Sequence, residues 1–131
     1  MFFIKCLKLL SLVIIISSCK PEAVLTLERG NYFYSKENYA EASAEYKKVI
    51  LRNSNIKSMN NSQIEILAHA YQQLALTQAQ LGNQSKDKHE RKIDYMKALE
   101  NIKKAESLAI QGKKRNEYRK TRLGIEQNLN Q

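Results

Sequence analysis

What this 131-residue chain lacks closes off several classes of protein before any motif is read. It has no tryptophan, one proline and four glycines, and few β-branched runs beyond its first twenty residues. With strand formers and turn formers this scarce, Ala, Leu, Lys, Glu and Gln dominate, which is an all-helical composition. There is no glycine-rich phosphate loop. The two histidines, His69 and His89, fall on separate helical segments, with no HExxH spacing or paired-carboxylate motif beside them. An enzyme is therefore not expected, and neither histidine is taken as a metal ligand or a base. The apolar stretch over residues 9–16 is about half of the ~20 residues that cross a bilayer core, so it is not read as a membrane-spanning helix.

That stretch has a different layout. Lys5 and Lys8 precede it, Ser17 and Ser18 follow, and Cys19 leads into Lys20 and Pro21. A basic start, a short apolar centre and small residues before a processing point make a signal peptide. The segment Ile16-Ser17-Ser18-Cys19 resembles the lipobox of bacterial lipoproteins. The resemblance implies cleavage before Cys19, a diacylglycerol joined to its sulfur and an acyl chain on the new amino terminus, with no other cofactor. Residues 1–18 are then the signal peptide, 19–22 a lipidated tether and 23–131 one domain. Cys6 leaves with the signal, so no free thiol is expected for a disulfide framework, a metal site or a nucleophile. Two or more acyl chains make such anchoring effectively permanent. In lipoproteins of enterobacterial type an aspartate after the lipidated cysteine retains the protein in the inner membrane; Lys20 at that position points to the outer membrane, facing the periplasm.

The chain carries a net charge of +9, and the excess is local. Residues 113–122, KKRNEYRKTR, set Lys113, Lys114, Arg115, Arg119, Lys120 and Arg122 against Glu117 alone. Nucleic acid is not expected as a partner, because an exported lipoprotein rarely meets it and only Tyr118 offers an interleaved aromatic. Two readings stay open: contact with anionic lipid, lipopolysaccharide or glycan, and the solvated face of an amphipathic helix.

The periodicity predicts five helices. The first runs from Pro21-Glu22 to about Ser35, turns through Lys36-Glu37-Asn38, and is followed by a second from Tyr39 to about Arg52. Residues 53–61 are a polar linker, and Ser62-Gln63-Ile64-Glu65 reads as a capping box. Ile64, Leu67, Ala68, Tyr71, Leu74, Ala75, Gln78 and Leu81 mark the buried stripe of the third helix, with Gln78 as a polar intruder and an end by Gly82-Asn83. Asp87 and Glu90 are candidates to cap the fourth, whose stripe is Tyr95, Ala98, Leu99, Ile102, Ala105 and Leu108 and whose end is placed at Gly112. The fifth spans about residues 113–128, with Tyr118, Ile125 and Leu129 on one side.

Gly30 followed by Phe33, and Tyr39 followed by Ala42, Tyr46, Val49 and Ile50, resemble a tetratricopeptide repeat. In that family a small residue on the first helix accepts an aromatic, and an alanine on the second lets the pair cross tightly. Leu74-Ala75, Gly82 at the turn, and Tyr95, Ala98, Ile102 and Ala105 resemble a second unit. It departs from the pattern by about eleven extra residues between Asn83 and Tyr95 and by Gln78 in place of an aromatic. Leu123-Gly124 resembles the opening of a third. The resemblance implies an all-α fold of antiparallel hairpins, two repeats with a C-terminal capping helix. The concave face would be lined by Leu27, Asn31, Tyr34, His69, Gln72, Leu76 and Gln80. A carboxylate clamp known in some members is not implied, since Leu27 and Leu76 stand where its lysine and second asparagine belong.

Two repeats leave exposed ends, so self-association or a partner is expected to cover one of them. The function this implies is a membrane-tethered adaptor that binds an envelope protein or peptide of an assembly, secretion or pilus machine. The alternatives are a surface-binding module working through its basic C-terminal helix, and a small inhibitory or exclusion lipoprotein.

Overall fold

The computed structural model describes residues 20–131; the signal segment and the acylation site expected at Cys19 lie outside the described residues. Five helices follow one another: α1 (Glu22–Ser35), α2 (Tyr39–Arg52), α3 (Asn61–Gln84), α4 (Lys88–Leu108) and α5 (Gly112–Leu129), with a 3-10 turn at Ile56–Ser58. Each packs against the next, α1 also touches α3, and α3 touches α5. The fold is all-α, built of helical hairpins in a tetratricopeptide-like arrangement. None of the described helices is long and apolar enough to cross a membrane.

The first hairpin turns where the sequence places the turn. Asn38 N–H donates to the Phe33 carbonyl at 2.9 Å and Glu37 N–H to the Tyr34 carbonyl at 3.0 Å. This is the hydrogen-bond pair of a Schellman helix end. Its left-handed residue is Glu37, at φ 58°, where glycine is the usual occupant. Asn38 then caps α2 by accepting from the Glu41 N–H. Three residues thus end one helix and start the next.

The other boundaries depart from the sequence reading in instructive ways. The capping box of α3 is Asn60 with Gln63, not Ser62 with Glu65: Gln63 N–H donates to Asn60 Oδ1, and Asn60 N–H to Gln63 Oε1, both at 2.9 Å. The 3-10 turn and an extended Met59 deliver the chain two residues earlier than the periodicity suggests. Asp87 caps α4 as expected, its Oδ1 accepting from His89 N–H at 2.9 Å. Gly112 does not end α4 but opens α5. The actual break is at Ala109, which is extended and buried, with its carbonyl held by Arg115 Nη2 at 2.8 Å.

The extra residues of the second unit do not form a loop. They lengthen the hairpin: α1 and α2 have 14 residues each, whereas α3 has 24 and α4 has 21. Two apolar clusters hold the stack. One joins Leu27, Ala42, Tyr46, Val49, Ala70 and Leu74; the other joins Ala68, Ala75, Ala98, Ile102, Ala105, Ala109, Tyr118 and Ile125. Helix α3 contributes to both, so it must be apolar on two sides. Gln78 is tolerated inside because Asn101 Nδ2 donates to its Oε1 at 2.7 Å. Each fully buried Leu, Ile or Val contributes about 1.5–3 kcal/mol, and the alanines among them set how closely the helices cross.

One contact occurs twice. A Cβ on Gly30 would lie 2.5 Å from the Tyr46 ring, and one on Gly82 would lie 2.9 Å from the Tyr95 ring. The neighbouring asparagine completes each pair: Tyr46 Oη donates to Asn31 Oδ1 at 2.7 Å, and Tyr95 Oη donates to Asn83 Oδ1. Gly82 is thus a close-approach glycine inside α3, not the turn residue that the repeat resemblance implied. The Gly-Asn dipeptide at 30–31 and again at 82–83 was the signal in the sequence.

Candidate functional site

Because α1, α3 and α5 lie side by side, their outer surfaces form one continuous face, and polar bridges cross it. Gln73 Nε2 donates to Asn31 Oδ1 at 3.2 Å, linking α3 to α1. Gln72 Nε2 donates to Glu117 Oε1 at 3.4 Å, linking α3 to α5. Neither Gln73 nor Glu117 stood out in the sequence, since their partners are 42 and 45 residues away.

Of the seven residues expected on this face, two are interior. Leu27 is 8% exposed and belongs to the first core cluster, and Gln72 is 6% exposed. Asn31 is half-buried and already accepts from Tyr46 and Gln73, so its amide oxygen is occupied. Tyr34 is half-buried, its ring edge-on to Tyr39 at 5.3 Å between centroids. His69, Leu76 and Gln80 are half-buried too, Gln80 accepting from Asn83 Nδ2 at 3.4 Å. The accessible part of the face is therefore Tyr34, His69, Leu76 and Gln80.

His69 has the most developed surroundings. It lines a cavity of about 230 Å³ with Glu65, Ile110, Gln111, Lys114 and Tyr118, between α3 and the junction of α4 with α5. Burial holds its imidazole below the ordinary histidine value and the Lys114 charge adds to this, while Gln72 and Glu117 pull the other way. Burial thus favours the neutral form of the ring. Desolvation would raise the Glu117 carboxyl, but hydrogen bonds from Gln72 and Lys114 outweigh it and hold the group below its usual value. At the core edge of this face, burial pushes the Tyr46 phenol up to about 12, with Tyr34 adding to it.

The basic run of α5 is mostly engaged. Lys114 pairs with Glu117 at 3.3 Å, Arg119 with Glu106 at 3.4 Å, and Arg122 with Glu106 and Glu126 at 2.6 and 2.9 Å. The Arg122 hydrogen bond is the largest influence holding Glu106 below its ordinary value; desolvation opposes it and Arg119 adds to it. Arg115 donates to the Ala109 carbonyl. Lys113 and Lys120 remain exposed, with no ion pair among the described residues.

The face can present an imidazole, an amide and an aliphatic side chain from α3 and a phenol from α1. Such groups recognise a chain by shape and hydrogen bonding. Among the described residues, no three His, Cys, Asp or Glu side chains converge as a metal site would require. Comparison with family models, curated proteins and solved structures finds no match for this chain.

Proposed function

We propose that this protein is a lipid-tethered adaptor of the bacterial envelope, holding a protein or peptide partner on the face shared by α1, α3 and α5. The observation that carries the reading is that face itself, where Tyr34, His69, Leu76 and Gln80 stay partly accessible beside side chains already tied in bridges. A groove of mixed apolar and amide groups on rigid helices suits an extended segment or a partner helix. The lipobox resemblance around Cys19 supports a membrane address, and Lys20 supports the outer membrane facing the periplasm. The tether adds a high effective concentration at the surface, so a weak groove suffices.

The deciding experiment is crosslinking of the protein in native membranes, with mass spectrometry of whatever is captured and of its own amino-terminal peptide. One dominant envelope protein joined through residues 31–80, with acylated Cys19, is the expected result. Cys19→Ser should release the chain from the membrane. Tyr34→Ala with Leu76→Ala should abolish capture; unchanged capture would move the site to another surface, and an unmodified Cys19 would remove the membrane address.

A further inference from the structure

The tip of the α3–α4 hairpin carries charges that the groove does not use. Residues 86–94 hold four cations, Lys86, Lys88, Arg91 and Lys92, and three carboxylates, Asp87, Glu90 and Asp94. The fold sorts them. Asp87 turns to the start of α4 to accept from His89 N–H. Glu90 accepts from the Ser85 hydroxyl at 3.4 Å. Asp94 lies against α3, its Cβ 3.3 Å from where a Cβ on Gly82 would sit. All four cations instead line one cavity of about 450 Å³, completed by Tyr95 and, from the end of α5 and just beyond it, by Asn128, Leu129 and Gln131. No ion pair among the described residues involves any of the four.

This arrangement works against local stability. Lys88, Arg91 and Lys92 are three and four positions apart on one face of α4, where like charges repel. They also begin that helix, where its dipole disfavours cations. Arg91 is fixed by Nη2 donating to the Ser85 carbonyl at 2.9 Å, yet its Nε is buried without a hydrogen-bond partner. A cationic donor withdrawn from water with no acceptor is costly. An anion in the cavity would relieve the repulsion among the cations and their conflict with the helix dipole. The volume lies in the range of small-ligand sites. One guanidinium and three ammonium groups call for more charge and more acceptor oxygens than a single carboxylate supplies; a phosphate supplies both.

We infer that the cavity at the α3–α4 tip binds a compact phosphorylated anion, a phosphomonoester or diphosphate, either free in solution or as a lipid headgroup. It does so independently of the groove on α1, α3 and α5. The test is an amide NMR titration of the full-length protein in zwitterionic detergent with inorganic pyrophosphate, against sodium chloride at matched ionic strength. Saturable shifts confined to residues 85–95 and the end of α5 are expected. Lys88→Gln with Lys92→Gln leaves the Arg91 contact to Ser85 intact and should weaken binding by about tenfold or more. Short-chain phosphatidic acid, compared with short-chain phosphatidylcholine, separates the two sources: competition with pyrophosphate assigns a headgroup, and pyrophosphate binding without competition assigns a free ligand. Shifts that never saturate, shifts equally large over residues 113–122, or a double variant that binds as tightly as the parent would each overturn the inference.

Discussion

Gly30, Gly82 and Gly124 stand inside helices with different surroundings, and adding one methyl group has a different outcome at each. In Gly30→Ala the new carbon meets the ring of Tyr46, a side chain with no exposed area whose hydroxyl is tied to Asn31, so the ring has nowhere to move. A loss of about 1–3 kcal/mol in urea denaturation is expected. Gly82→Ala should lose less, because the Tyr95 ring is 2.9 Å away instead of 2.5 Å and Tyr95 is 8% exposed where Tyr46 is fully buried. Gly124→Ala meets nothing within 4 Å and should gain about 0.5–1 kcal/mol, the ordinary helix preference of alanine. His69 supplies the second prediction at this scale. The unfolded chain takes up a proton near the ordinary value of 6.5, while the folded ring, buried and beside Lys114, resists it. The stability that His69 contributes is therefore complete above about pH 6.5 and is lost as the pH falls from there through its lower folded value. Denaturation midpoints of the parent should fall over this window more than those of His69→Gln, and an NMR titration should place the His69 midpoint below 6.5.

At the scale of the element, the turn between α1 and α2 is correct in place and unusual in chemistry. Residues 36–38 read as a turn because Lys-Glu-Asn interrupts the apolar period just before the capping asparagine. Nothing local announces that Glu37 adopts a left-handed conformation. Glu37→Gly should stabilise the protein by about 1 kcal/mol, since the hydrogen bonds of the helix end stay and the strain at Cβ goes; thermal or urea denaturation checks it. The longer second hairpin shows the opposite balance. Its extra residues are rich in charge and scarce in glycine, so they extend α3 and α4 instead of looping out. Gly112 misled in the same way, because a glycine marks a helix end only when the preceding carbonyls need one, and here Arg115 holds Ala109.

For the whole molecule, α3 is the shared wall of both apolar clusters, and this couples the two hairpins and α5. Ile125, 4% exposed on α5, touches only the second cluster, yet its loss should be felt everywhere. Ile125→Ala should lower global stability by about 2–5 kcal/mol. Far-UV dichroism and tyrosine emission, the available fluorescence in a chain without tryptophan, should report one coincident transition. Two separate transitions would show that the hairpins are energetically independent, as a longer repeat array permits. The same geometry sets the face proposed to hold a partner: its polar bridges leave only a few side chains of α1 and α3 accessible.

The helical class, the five segments, the first turn and most of the buried stripes were decided by composition and a 3.6-residue period, which act within a few neighbouring residues. Tertiary structure alone decided that Leu27 and Gln72 are interior, that Gln73 reaches Asn31 and Gln72 reaches Glu117, and that Gly82 receives a ring. It also gathered the cations of residues 86–92 around one cavity. Each of these depends on how long two helices are and how closely they cross, and those quantities are set by contacts between residues far apart in the chain.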